Sequence, residues 1–229
     1  MRTNAGNLTC DAFARAVAIA EGNVLQSLDV ERSLARHFED KGTLKWFAQA
    51  FYFIRVHFVK LNFVVGARCP THELYWAGLA HNLMEELGGN SGPSHNELYR
   101  WFLQDVGLPN EAALERPAFA TRFDRKWDQF AQRAPLEEAL GAIAVYEIFD
   151  NPDYQMLLNI MTRAGVTERG LLFFKVHAAA EHFELFEDYF RHVSQQPSGI
   201  NTLERATAFV LDTQKEMWSG LLEHLTANK

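Results

Sequence analysis

The sequence predicts an all-α fold, built as one up-and-down helical bundle. Apolar residues recur at helical spacing along almost the whole chain of 229 residues. No segment alternates apolar and polar residues between hairpin turns, so strand signals are weak. Short clusters of Gly, Pro and Asn separate the helical stretches, and short connections favour neighbouring helices that run antiparallel.

The breaks between the helical stretches carry recognisable signals. Ser94 is a candidate N-cap after a glycine-rich turn, and Pro135 suits a first helical turn, where its missing N–H costs nothing. No break is long enough for a domain linker, so we expect a single domain over residues 1–229. The predicted helical segments cover approximately residues 8–22, 28–40, 43–66, 71–87, 95–107, 109–132, 135–149, 151–164, 167–193 and 200–226.

The third segment shows an inward face rich in Phe. Its members recur at i, i+4, i+7 and i+11, the spacing of a single helical face. They are Phe47, Phe51, Ile54 and Phe58. The surrounding stretch, 46–66, is the most apolar of the chain but also contains charged and polar residues. We therefore expect a buried amphipathic helix and not a membrane span.

Composition narrows the class of protein. The formal net charge is −7 and the basic residues are scattered, which disfavours a nucleic-acid partner and a basic membrane-binding surface. Hydrophobic residues make up 48% of the chain, enough for a sizeable core in one helical body. Cys10 and Cys69 are too few for a disulfide framework, and the N-terminal residues lack the apolar core of a signal peptide. We expect a cytoplasmic protein.

Three segments carry carboxylates and histidines that a bundle could bring together. In the first, a helix ends with Glu85 and Glu86, a glycine-rich turn follows, and the next helix starts with His95. Such a turn can bring Glu86 and His95 together across an antiparallel helix pair. The alternative is a solvated helix end on which His81 and Glu85 form an exposed i,i+4 pair. Spacing alone favours that alternative, because charged residues usually face water.

The second segment places Glu147 directly after the apolar run 140–146. A carboxylate there is either buried with a partner or located at the edge of an apolar stripe. Burial without a partner would cost on the order of several kcal/mol. Burial of Glu147 would therefore imply a metal ion or another cation.

The third segment, 171–190, carries the strongest signal. His177, Glu181 and Glu184 fall at i, i+4 and i+7, so they share one helical face within roughly 60°. His182 is about 140° from His177 and lies on another face. A polar stripe facing water is the alternative, but apolar residues are spread around the rest of this helix. We therefore predict an inward stripe, for which metal ligation is the usual reason.

Cys69 and the remaining histidines are weaker candidates. Cys69 lies in an Arg-Cys-Pro sequence with no obvious base nearby, so a structural role is favoured over that of a nucleophile. The remaining histidines lack carboxylate partners in a comparable arrangement, and we expect them at surface or ordinary core positions. They are His37, His57, His72, His192 and His224.

Taken together, the segments resemble the heme-oxygenase-like di-iron oxidases and oxygenases. This superfamily also contains the TenA thiaminases, PqqC and the chlamydial protein associated with death domains, and the resemblance is closest to the chlamydial protein. It covers roughly residues 45–190 and depends on the order and intervals of the matching residues. These are Tyr52, Arg68, Cys69, Asn82, Leu83, Met84, Glu85, Glu86, His95, Tyr146, Glu147, His177, Glu181 and Glu184.

The resemblance implies a heme-oxygenase-like fold and a set of six metal ligands. The implied ligands are Glu86, His95, Glu147, His177, Glu181 and Glu184. Glu181 stands where the family has Asp, which is a mild change. Glu184 stands where the family has His, which could alter the affinity for the second metal ion or select manganese. His182 could supply the missing imidazole only if the helix is locally distorted, for example by a π-bulge.

The leading interpretation is an oxidoreductase in which two iron ions, or manganese in their place, activate dioxygen on a small organic substrate. Glu147, Tyr146 and Tyr52 are the expected catalytic residues, and a homodimer is the expected assembly. A second interpretation is a cofactor-free enzyme similar to PqqC or TenA. The lack of a cysteine near Glu147 disfavours the TenA type, and the carboxylate-rich stripe disfavours the PqqC type. A third is a non-catalytic interaction protein that has lost a full metal site.

Overall fold

The prediction of an all-α fold is confirmed. The computed structural model describes residues 10–89, 92–108, 113–179 and 186–227. Every regular element in these ranges is helical, and none of them contains a β-strand. No helix among these residues is both long enough and apolar enough to span a membrane.

The helices are joined by short connections. In chain order they are α1 (Cys10–Ser27), α2 (Val30–His37), α3 (Lys41–Arg55), α4 (Phe58–Gly66), α5 (Glu73–Glu86), α6 (His95–Asp105), α7 (Ala118–Arg133), α8 (Leu136–Arg163), α9 (Leu172–Ala179), α10 (Glu187–Ser194) and α11 (Gly199–Ala227). Helix α8 packs against α1, α9 and α11 and forms the middle of the core. The predicted inward Phe-rich face of the third segment is buried.

Two predicted boundaries are wrong around α8. The segments 135–149 and 151–164 form one helix, although Pro152 lies inside it. A proline removes one backbone hydrogen bond from a helix. Burial on both sides of the proline compensates for this loss, since Phe149, Tyr154 and Leu157 are almost fully buried. Tertiary packing thus outweighs the local break signal.

The predicted segment 43–66 divides into α3 and α4 at Val56 and His57. The His57 ring is buried against α7, with Nε2 3.2 Å from Asp128 Oδ1 and Nδ1 3.8 Å from Asp124 Oδ2. Burial lowers the pKa of His57, and the nearby Asp128 partly opposes this effect. His57 is thus a core histidine, in agreement with the expectation, and its carboxylate partners come from another helix. These contacts tie the junction of α3 and α4 to α7.

Two other predicted helical segments also differ from the observed helices in their boundaries. Helix α7 begins at Ala118, later than the predicted segment 109–132, whose first residues lie partly outside the described part of the chain. The predicted segment 167–193 corresponds to α9 and α10, and residues 180–185 between them are also outside that part.

Ser94 caps the N-terminus of α6, as predicted. Its Oγ accepts a hydrogen bond from the backbone N–H of Glu97 at 3.1 Å. We expect Ser94→Ala to lower the free energy of unfolding by about 1 kcal/mol, the usual effect of losing an N-cap. Urea denaturation would measure the change. Ser27→Ala, at the exposed end of α1, is the control and should change stability much less, and equal losses in both variants would contradict the capping role.

Candidate metal centre

The end of α5 and the start of α6 bring a carboxylate and an imidazole together. Glu86 is the last residue of α5 and His95 the first of α6, and His95 Nδ1 lies 3.0 Å from Glu86 Oε1. Both side chains are buried. The alternative exposed pair also exists, because His81 Nε2 lies 3.2 Å from Glu85 Oε1 on the outer face of α5. The two neighbouring glutamates therefore face in different directions.

A glycine makes the turn between these helices possible. Gly88 has a φ of 75°, in the left-handed region that residues with a side chain rarely adopt. A Cβ at this position would lie 2.6 Å from the carbonyl oxygen of Gly92 and 2.8 Å from the backbone nitrogen of Ser94. The tight turn thus requires glycine, and it holds the chain so that Glu86 and His95 meet.

His177 completes a cluster of three buried side chains. It is fully buried on α9, and its Nδ1 donates to the carbonyl oxygen of Phe173 at 2.8 Å. Because a carbonyl oxygen only accepts, Nδ1 carries the proton and Nε2 is left with its lone pair. That Nε2 lies 3.9 Å from Glu86 Oε1 and has no hydrogen-bond partner among the described residues.

The three side chains have the chemistry of a metal site. Glu86, His95 and His177 each offer one ligand atom, and these atoms lie within 4.8 Å of one another. The two imidazole rings are 4.5 Å apart, measured between centroids. One carboxylate and two imidazoles suit iron, manganese or zinc. The lone pair of His177 Nε2 is a buried acceptor that a cation would satisfy.

The protonation states of the side chains in the cluster are also those that a bound cation requires. Burial lowers the pKa of His177 to about 3, although the neighbouring Glu86 carboxylate opposes the shift. The ring is therefore neutral at neutral pH, as a metal ligand must be. Burial alone would raise the pKa of Glu86, but its hydrogen bond with His95, at 3.0 Å, opposes burial, and that pKa lies below its usual range. A buried carboxylate thus faces neutral imidazole nitrogen.

Glu147 lies next to this cluster but is not part of it. It is buried in α8, and Asn82 Nδ2 donates a hydrogen bond to its Oε1. Asn82 precedes Glu86 by four residues in α5, so it lies about one helical turn, or about 6 Å, nearer the N-terminus of the helix. Of the two alternatives for Glu147, burial with a partner is observed, and the amide of Asn82 is one such partner. Glu181, Glu184 and His182 lie outside the described residues.

Arg55 is a charged residue of the site region that the sequence interpretation missed. Its buried guanidinium lies 5.8 Å from the ring centres of Phe58 and Tyr146 and 5.1 Å from that of Tyr154. Nη1 donates to the Tyr146 hydroxyl at 3.3 Å. The Tyr154 ring in turn stacks on His177, with 4.4 Å between centroids. The signal was available, because Arg55 directly follows Ile54 of the predicted inward face.

The predicted catalytic tyrosines lie in the same region. The buried Tyr146 ring stacks on Phe58 at 5.1 Å, and Tyr52 lies 5.8 Å from the ring of Tyr99. Tyr52 also lines a cavity that reaches Glu86. The structure therefore places both phenols near the cluster, while their catalytic role stays a prediction.

The Arg-Cys turn after α4 has structural contacts. Arg68 donates to the carbonyl oxygens of Ala131 and, at 2.6 Å, Ala134, which joins the end of α4 to α7. The Cys69 thiol donates to the carbonyl oxygen of Val65 at 3.4 Å. Burial raises the pKa of this thiol. These contacts favour the predicted structural role of Cys69, since a nucleophile needs a lowered pKa.

A helical bundle with a buried carboxylate–imidazole cluster is typical of non-heme metal proteins. Residues 45–207 match the model of a family described as iron-containing redox enzyme, and the chain belongs to this family. The predicted relation to the heme-oxygenase-like superfamily is confirmed at this level. A nearer relation to the chlamydial protein stays a prediction. No curated protein sequence matches the chain.

Two crystal structures of a CADD-like protein of unknown function from Nostoc punctiforme PCC 73102 have a similar fold. The structure at 1.35 Å resolution aligns with a TM-score of 0.74 at 14% identity, covering 96% of this chain and 97% of that chain. The structure at 2.00 Å resolution aligns with a TM-score of 0.63 at 14% identity, covering 94% and 97%. At this identity the likeness concerns the fold alone.

Proposed function

We propose that the protein is a non-heme oxidoreductase that binds two iron ions, with manganese as the alternative metal, and uses dioxygen to oxidise a small organic substrate. The observation that carries this proposal is the buried cluster of Glu86, His95 and His177, in which His177 Nε2 is held as an unprotonated acceptor beside a carboxylate. Membership of a family of iron-containing redox enzymes supports iron as the metal.

The chain's residues divide into ligands and residues that hold the ligands. Glu86, His95 and His177 would bind one ion. Glu147, which accepts a hydrogen bond from Asn82 one helical turn before Glu86, would bind the other. The remaining proposed ligands are Glu181 and Glu184. Bound iron would supply the one-electron chemistry that dioxygen activation requires.

The surrounding side chains fix the orientation of the ligands. The Phe173 carbonyl selects the tautomer of His177, and the Tyr154 ring covers one face of its imidazole. The Tyr146 hydroxyl accepts a hydrogen bond from Arg55, and Tyr52 lines the cavity to Glu86. We propose these two tyrosines as donors of a proton or an electron beside the site.

Burial distinguishes this proposal from a non-catalytic interaction protein. Such a protein, having lost its metal site, would be expected to turn one or more of the six positions to solvent. Instead, the four positions within the described ranges are at least nine-tenths buried: Glu86, His95, Glu147 and His177. The homodimer, the single domain and the cytoplasmic location stay predictions.

Metal analysis and reaction with oxygen test the proposal directly. The protein is expressed with added iron, and iron and manganese are then measured per chain. We expect about two ions per chain, as in bundle carboxylate sites. Anaerobic ferrous protein should then change its absorbance when mixed with oxygenated buffer. Substoichiometric iron and manganese together with an unchanged spectrum would contradict the proposal.

A histidine variant links the metal to the site. We expect His177→Ala to lower the affinity for ferrous iron by at least about 100-fold, because it removes a ligand that the fold holds in place. His192→Ala, at an exposed position on α10, is the matched control and should bind iron like the unmodified chain. Circular dichroism shows whether both variants keep their helices. Equal iron affinity in the two folded variants would exclude His177 as a ligand.

A further inference from the structure

A cavity of about 270 Å³ connects the protein surface with the proposed metal ligands. At its inner end lie the buried side chains of Glu86 and His95. At its outer end lie Val56 and Leu87, which are 36% and 56% exposed. The volume corresponds to about nine water molecules at liquid density. A small molecule could therefore reach the cluster from solvent through this cavity.

The walls of the cavity are mainly apolar. Arg55 and Asn96 also line the cavity, and Arg55 Nη1 donates a hydrogen bond to the Tyr146 hydroxyl at 3.3 Å. Two further polar side chains on the wall have hydrogen-bond partners. The Tyr99 hydroxyl donates to the carbonyl oxygen of Ala48 at 2.8 Å, and Ser94 Oγ accepts from the N–H of Glu97 at 3.1 Å. Tyr99 thus offers the cavity its ring. The aliphatic and aromatic side chains on the wall are Val56, Val59, Leu87, Tyr52, Tyr99 and Phe173.

We propose that this cavity binds the substrate and that the substrate is a compact, largely apolar molecule of roughly nine non-hydrogen atoms, with Leu87 and Val56 setting its maximum length. The inference rests on the proposed function, because only a reactive metal centre makes the bound molecule a substrate. A strongly hydrated molecule of the same size would lose hydrogen bonds with water against these walls. The turn at Gly88 that positions Glu86 also fixes the neighbouring Leu87.

Linear primary alcohols from 1-butanol to 1-dodecanol serve as probes of the cavity. Their binding to the full chain is measured by saturation-transfer NMR, which detects the alcohol and needs no turnover. We expect the affinity to rise with chain length up to about 1-octanol and then to fall, because longer chains exceed the cavity. In protein loaded with Mn²⁺, the resonances of bound alcohol should broaden, since the cavity ends at the metal ligands.

Two tryptophan variants distinguish binding in the cavity from binding to the rest of the surface. One is made at Leu87, directly after α5, and the other at Met84, within α5. We expect Leu87→Trp to weaken 1-octanol binding at least about tenfold, because the larger ring fills the mouth of the cavity. Met84→Trp is the matched control and should leave binding unchanged, because Met84 is 49% exposed but does not line the cavity. If Leu87→Trp does not fold, Val56→Trp makes the same test from the opposite side of the mouth.

The proposal is overturned if 1-octanol does not bind, or if it binds equally to the mouth variant and to the control. Metal content is measured on the same samples, which separates this inference from the proposed function. Alcohol binding that depends on Leu87 in a protein without metal would preserve the cavity and reject the oxidoreductase. If the protein binds stoichiometric metal but Leu87→Trp does not weaken alcohol binding, the proposed function stands and the cavity proposal is rejected.

Discussion

Glu86→Ala is expected to abolish binding of the ion held with His95 and His177, whereas Glu147→Ala is expected to remove only the other ion. The reason is the position of the two carboxylates. Glu86 lies within 4.8 Å of both imidazole ligand atoms, so its loss leaves only two neutral donors. Glu147 is held by Asn82, one helical turn before Glu86, and is not one of the three clustered residues, so its loss leaves that cluster complete.

Anaerobic titration with ferrous iron measures this difference as stoichiometry. We expect about two ions per chain in the unmodified protein and about one in Glu147→Ala. For Glu86→Ala we expect loss of the ion held by the three-residue cluster, which leaves at most about one ion per chain. Glu97→Ala is the control, because Glu97 lies in the first turn of α6, close to His95 in the chain, but is exposed. If Glu147→Ala lowered stability and left the stoichiometry unchanged, Glu147 would not be a ligand.

The meeting of Glu86 with His95 could be anticipated from local sequence, because a helix end, a glycine turn and a helix start are contiguous. Spacing could not decide which of Glu85 and Glu86 faces inward. The two differ by about 100° around the helix. That choice depends on where α9 packs, since His177 from α9 lies on the side of Glu86. The contact between Glu86 and His177, which are distant in sequence, therefore decides which of the two glutamates faces inward.

The residues that sequence analysis missed are polar groups inside apolar segments. Arg55 and His57 occur in the most apolar stretch of the chain, where the presence of polar residues indicated a buried amphipathic helix. In the structure both are buried, Arg55 among aromatic rings and His57 against two aspartates of α7. Their partners come from other helices, so no periodicity within the segment could reveal them. The break between α3 and α4 escaped prediction for the same reason.

Glu21 is a further buried carboxylate, which sequence analysis did not single out. We expect its titration to make the stability of the protein strongly dependent on pH. It is fully buried on α1 and faces Asp153 of α8 and Trp218 of α11. Burial raises its pKa from 4.5 to about 7, although Asp153 and Trp218 partly oppose the shift. The folded state therefore holds the proton of Glu21 more tightly than the unfolded state does.

The sign of the pH effect follows from this difference. Below pH 4.5 Glu21 is protonated in both the folded and the unfolded state, so no charge is buried and the free energy of folding is not penalised. As the pH rises through about 7, the unfolded chain releases the proton first and folding is progressively penalised. A shift of this size corresponds to a loss of about 3 kcal/mol above the folded pKa. Glu21→Gln has no proton to release and escapes this loss.

We therefore expect Glu21→Gln to gain about 2–3 kcal/mol of stability relative to the unmodified protein between pH 5 and pH 8. Urea denaturation of metal-free protein at both pH values measures the change. Titrating groups distant from Glu21 cancel, because they are common to both chains and distant sites add independently, whereas Asp153 contacts Glu21 and contributes to the measured difference. Glu39→Gln, exposed at the end of α2, is the matched control and should show no such gain. A constant difference at pH 5 and pH 8 would mean that Glu21 titrates normally in the folded protein, and that its buried position is stabilised by hydrogen bonds to the ionised form.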